Sequence, residues 1–68
     1  MVFSKKVRNV VATNVVEYVM YENHYSSGKE FTYSIAKRNY QQNKLIEWVV
    51  RGVSKETAEM VWQDRCAR

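Results

Sequence analysis

The chain has 68 residues, a net charge of +4, a pI near 9.4, 46% hydrophobic residues and 26% charged ones. That balance excludes intrinsic disorder, and with no apolar run near the ~18 residues a membrane span requires, it excludes a transmembrane helix. A single cysteine, Cys66, and a single histidine, His24, exclude an intrachain disulfide and a zinc site. The length predicts one domain, 1–68, whose small core leaves little stability once chain entropy is counted. A partner chain, in the first instance a homodimer, is therefore expected. The N-terminal Met-Val-Phe-Ser-Lys-Lys has no signal-peptide pattern, and a lone thiol fits a reducing compartment. The chain is expected in the cytoplasm, with no membrane role, no cofactor and no metal.

Residues 4–25 contain neither Gly nor Pro. On a helical wheel Val7, Val10, Val11, Val15, Tyr18, Val19 and Tyr21 share a face, while Lys5, Lys6, Asn9, Thr13, Glu17 and Asn23 lie elsewhere. With Ser4 as N-cap, this spacing predicts a helix over 4–24. The valine-rich composition leans the other way, towards strand. The alternative is a β-hairpin over 15–36, turning at Ser26-Ser27-Gly28-Lys29 and supported by the alternation Phe31/Tyr33/Ile35, with two helices after it. Further helices are expected at 32–39, 42–51 and 54–66. Gly52 ends the third and Ser54 caps the last, with Glu56 and Glu59 near its positive end. Ala58, Val61, Trp62 and Cys66 form the last helix's buried side. The expected architecture is mainly α: a small four-helix domain.

Residues 32–51 carry the functional signal. Ile35-Ala36 is followed by a polar, basic run around Tyr40, and then by the apolar positions Ile46 and Val49. This spacing resembles helix-turn-helix DNA-binding domains as a class, over about twenty residues: an apolar-alanine pair in a first helix, then the inner face of a recognition helix. Tyr40 and Gln41 depart from the class, which often has Gly and an apolar residue there. The resemblance implies duplex-DNA binding through residues 37–51. Gln42, Asn43, Lys44 and Arg51 would reach base edges and phosphates, and Lys37 and Arg38 would hold the backbone. Glu47 would share that outer side.

A second string, Gly52-Val-Ser-Lys-Glu-Thr-Ala58, is similar to the turn of many bacterial repressors. It requires a small residue where Trp48 stands. A ribbon-helix-helix arrangement, with Phe31–Ala36 as the reading strand, meets a similar conflict of phase.

The seven carboxylates are scattered, His24 has no catalytic neighbour, and Cys66 lies near the end without a base; no enzyme is expected. Trp48 and Trp62 are expected as core residues, and Lys5-Lys6-x-Arg8 as a solvated first turn. The leading expectation is a small DNA-binding regulator. The rival class is a protein–protein module using Tyr18, Tyr21, Tyr25, Phe31 and Tyr33 as an aromatic surface. A third reading, single-stranded nucleic-acid binding, rests on Tyr33, Tyr40 and Trp48 among basic neighbours.

Overall fold

The computed structural model describes residues 2–25 and 31–66. Four strands, β1 (Val2–Val11), β2 (Val16–Tyr25), β3 (Thr32–Asn39) and β4 (Lys44–Val53), form one antiparallel sheet in the order β1-β2-β3-β4. A short helix, α1 (Lys55–Val61), follows and runs into a π-helical turn, Trp62–Cys66.

This overturns the four-helix, helix-turn-helix architecture. Residues 4–24, 32–39 and 42–51, expected as helices, are strands. The 15–36 alternative found the β2–β3 pairing, but it made a helix of what is β4. The physical reason lies in the valines and aromatics, whose χ1 restriction and bulk fit a pleated surface better than a helix. A helix-period reading of 4–24 also required an uninterrupted segment, and the chain turns within it without Gly or Pro. Thr13 Oγ1 accepts from the backbone N–H groups of Val15 (3.3 Å) and Val16 (3.1 Å), and Ala12 N–H donates to Val16 O at 2.8 Å. The β3–β4 turn uses the same device, with Asn39 Oδ1 accepting from the N–H groups of Gln41 and Gln42, both at 3.1 Å. Such local side-chain bonds make a turn where glycine is absent. Asn43 then takes φ +56°, a left-handed conformation that asparagine tolerates. The Ser26-Ser27-Gly28-Lys29 loop lies outside the described residues.

Alternation sends successive side chains to opposite faces. One face receives the helix. Its central row runs Arg8–Met20–Ile35–Val50 across the strands, flanked by Val10–Tyr18–Lys37–Glu47 and Lys5–Glu22–Tyr33–Val53. Ala58, Trp62 and Cys66, spaced four apart, press onto Met20, Tyr33 and Ile35. Ile35 and Ala58 are both 0% exposed, because a small residue lets the helix approach the sheet closely. The helix begins as the sequence dictates: Gly52 takes φ +63°, then Ser54 Oγ accepts from Thr57 N–H at 3.2 Å. β1 carries a bulge at Val7, where the register shifts between Lys6 and Arg8. No helix among the described residues is long and apolar enough to cross a membrane.

Candidate nucleic-acid interface

Among the described residues, no helix packs on the other face of the sheet. Its rows are Val11–Glu17–Arg38–Leu45, Asn9–Val19–Ala36–Trp48, Lys6–Tyr21–Ser34 and Ser4–Asn23–Thr32. Val19 and Ala36 are each 1% exposed. They form a small apolar floor from which the larger flanking side chains rise. Trp48, 38% exposed, lies beside the floor. Tyr21 meets it edge-on at 6.2 Å between ring centroids, and the Arg51 guanidinium sits 5.1 Å above its ring. Both geometries are favourable for an aromatic quadrupole.

Charge is divided between the faces. On the helix side Glu22, Glu47, Glu56, Glu59 and Asp64 are matched in number by Lys5, Arg8, Lys37, Lys55 and Arg65, and Arg8 is bound to Glu59 at 2.8 Å. The open face carries Lys6, Arg38 and Arg51 against Glu17. None of those three cations makes an ion pair among the described residues. Arg38 instead donates to Tyr21 Oη at 3.4 Å and to Asn43 Oδ1 at 2.7 Å, with Glu17 opposite it on β2 but not in ion-pair contact.

A polar network crosses the far end of this face. Ser4 Oγ donates to Asn23 Oδ1 (2.7 Å), and Asn23 Nδ2 donates to Thr32 Oγ1 (3.2 Å) and Ser34 Oγ (3.0 Å). Gly52 N–H also donates to Ser34 Oγ, at 3.2 Å. Beside the network is an open recess of about 410 Å³, lined by Ser4, Asn23, Tyr25, Ser34, Trp48, Arg51 and Gly52.

The helix face has a separate cluster of titratable groups. Tyr33 Oη donates to Glu22 Oε2 at 2.6 Å, and His24 Nε2 lies against Glu22 Oε1. The Tyr33 bond, then that of His24, lowers the Glu22 pKa from its ordinary value. The same bond, with burial, raises that of Tyr33. Phe3 and Phe31 hold His24 between ring-centroid distances of 4.8 and 4.2 Å. The Tyr33–Glu22 bond ties β3 to β2, and the stacking of Phe3 on His24 ties in β1. Burial pushes the Cys66 thiol pKa up, which keeps it protonated and poorly nucleophilic.

The residues expected to read DNA fall in three places. Arg38 and Arg51 both lie on the open face, on either side of Trp48. Lys37 lies on the helix face in register with Glu47. Gln42 and Asn43 lie in the β3–β4 turn, and Lys44 opens β4. They therefore form no recognition helix. Of the aromatic surface considered for a protein partner, Tyr18 and Tyr33 belong to the helix face, Tyr21 and Tyr25 to the open face, and Phe31 stacks on His24. Lys6, Tyr21, Asn23 and Ser34 were missed as site residues. A period-2 reading of 4–11 and 16–25 finds the first three, since Ser4/Lys6 and Tyr21/Asn23 alternate with Lys5 and Glu22.

Compared with protein-family models, curated proteins and solved structures, the chain gives no match, so its geometry alone carries the functional reading.

Proposed function

We propose that the protein binds single-stranded nucleic acid across the open face of its sheet, inside the cell. Bases stack on Trp48 and Tyr21, and Lys6, Arg38 and Arg51 meet the phosphates. The observation that carries this reading is the placement of three cations that make no ion pair among the described residues around the exposed Trp48 and the half-buried Tyr21, on the face away from α1. An antiparallel sheet with aromatics on its free face offers flat surfaces to unstacked bases, and every base has a π-face to stack. Duplex DNA fits less well, because the helix that was to enter a major groove is strand β4.

Fluorescence anisotropy of a labelled single-stranded oligonucleotide, titrated at several salt concentrations, tests the proposal. Three phosphate contacts predict a log–log salt slope of about −2, at ~0.7 per contact. Neutralising Lys6, Arg38 and Arg51 together should flatten it. Binding that ignores salt, or no binding, removes the proposal. Tighter binding to duplex would shift the reading to the β3–β4 hairpin, where Gln42, Asn43 and Lys44 cluster.

A protein-contact reading draws on one observation of its own. β4 is an edge strand, and its first half exposes two successive apolar residues, Leu45 (47%) and Ile46 (48%). An exposed apolar edge invites strand addition by a partner, a second copy included. Sedimentation that stays monomeric at high concentration, with no change on Ile46→Lys, would exclude self-pairing there.

A further inference from the structure

The Trp48 ring, the larger aromatic of the stacking pair, already has one face occupied. Trp48 is 38% exposed, and the Arg51 guanidinium stands 5.1 Å from its ring centroid, within the ~6 Å reach of a cation–π contact. A base stacks by laying its flat face on the indole, so a base and the guanidinium cannot share that face. Two further neighbours of the ring are fixed. Ala36 lies across from Trp48 in the β3–β4 register and is 1% exposed. Tyr21 meets the indole edge-on at 6.2 Å while its Oη accepts from Arg38. Arg51 is held by nothing comparable: it is exposed, and its guanidinium makes no hydrogen bond or ion pair among the described residues. Of these three neighbours, only Arg51 can leave the ring without disturbing the sheet.

We infer that Arg51 and Trp48 form an exchange site for one nucleotide unit: the base takes the indole face, and Arg51 swings off it onto the adjoining phosphate. This rests on the single-strand reading above and adds to it what Arg51 does before the strand arrives. The exchange is favoured because each contact made is stronger than the one broken. A cation–π contact at an exposed position is weak. Pairing of a guanidinium with phosphate is charge-assisted and matches its forked donors to two oxygens, and the base–indole stack is gained besides. A base with no phosphate beside it must displace Arg51 without giving it a new partner. A phosphate with no base beside it draws Arg51 away and leaves the indole bare. The site therefore favours a nucleotide over either of its parts, and Arg51 masks the ring until both are present.

The test follows the Arg51 side-chain protons by NMR while a short oligo-dT is added to the wild-type protein. In the free protein the indole ring current should shift the Arg51 δ-methylene protons upfield. Saturation with the strand should return them towards the ordinary arginine position, while the Trp48 Nε1–H signal moves and that of Trp62 does not. Arg51 protons that stay upfield, or move further upfield between base and indole, overturn the exchange and leave the sheet-face reading standing. Protons at the ordinary position in the free protein overturn it too. Failure of the strand to bind removes that reading, and the exchange with it. A double-mutant cycle reads the same exchange as affinity. In wild type, Arg51→Ala loses a phosphate contact but also frees the ring; in Trp48→Leu it only loses the contact. The penalty of Arg51→Ala should therefore be about two- to fivefold larger in the Trp48→Leu background, the factor an exposed cation–π contact is worth. An equal or smaller penalty contradicts the exchange. If Trp48→Leu fails to fold, the NMR titration decides alone, since it needs no variant.

Discussion

On the helix side of the sheet, the groups nearest the helix have internal partners, although Lys5, Lys37 and Glu47 make no ion pair among the described residues. Arg8 is bound to Glu59, Tyr33 to Glu22 and Glu22 to His24, and Trp62 fills the space over Ile35. On the open side the same residue types are left unfinished. Among the described residues Arg51 rests on Trp48 without a carboxylate, Lys6 makes no ion pair, and Ser34 keeps a proton to give. Both faces are built from the same four strands, so intrinsic strand propensity does not distinguish them. The difference is what covers each face: Ala58, Trp62 and Cys66 close one and leave the other to solvent. A tryptophan closed in a core acts through burial; one beside a free guanidinium acts through what it can still contact.

The largest effects should separate the faces by what is lost. Trp62→Ala and Ile35→Ala remove buried side chains from the helix side and should each lower unfolding free energy by about 3–5 and 2–5 kcal/mol respectively, read by urea denaturation. Trp48→Ala, from a half-open site, should cost markedly less stability, and instead about 1–3 kcal/mol of oligonucleotide affinity. Equal stability losses for Trp62 and Trp48 would break the comparison, because both tryptophans would then be core.

Little of this division was legible in the sequence beyond the last helix. The last helix could be read from Ser54, Ala58 and Trp62, since an N-cap followed by spacing in fours has one interpretation. The first half could not, because Val7, Val10, Val11, Val15, Tyr18 and Val19 satisfy a helical stripe as well as two strands. The deciding information was the Thr13 hydroxyl turn, a local bond in place of the Gly or Pro that usually marks a hairpin. Once 32–51 is a hairpin, its helix-turn-helix spacing loses meaning: Ile46 is exposed on an edge strand and Ala36 lies in the floor of the open face. Arg38 and Arg51 remained in the site because their strands are neighbours. Lys6, Tyr21 and Ser34 joined through pairing across residues far apart in the chain, which no local pattern encodes.

Smaller effects sharpen the picture. Ser54→Ala removes the bond to Thr57 N–H and should cost about 1 kcal/mol of stability while leaving strand binding unchanged. The Glu22–Tyr33 bond gives stability a pH dependence that belongs to the helix face. The Glu22 pKa is lowered in the folded state, so its contribution is full above the ordinary carboxylate pKa and is lost as pH falls through the lowered value. The Tyr33 pKa is raised, so its contribution is full below the ordinary phenol pKa and is lost as pH rises through the raised one. Thermal melts of Glu22→Gln should show both limbs flattened relative to wild type, and a wild-type profile already flat at both ends would contradict the bond.

The most direct measurement is the titration of isotopically labelled protein with a single-stranded oligonucleotide, followed residue by residue by NMR. Perturbations confined to Lys6, Tyr21, Ala36, Arg38, Trp48, Arg51 and their neighbours, with the amides of Ala58, Trp62 and Cys66 unmoved, are the predicted result. Shifts centred on the helix, or on no surface at all, would contradict the account that the open face is where this protein acts.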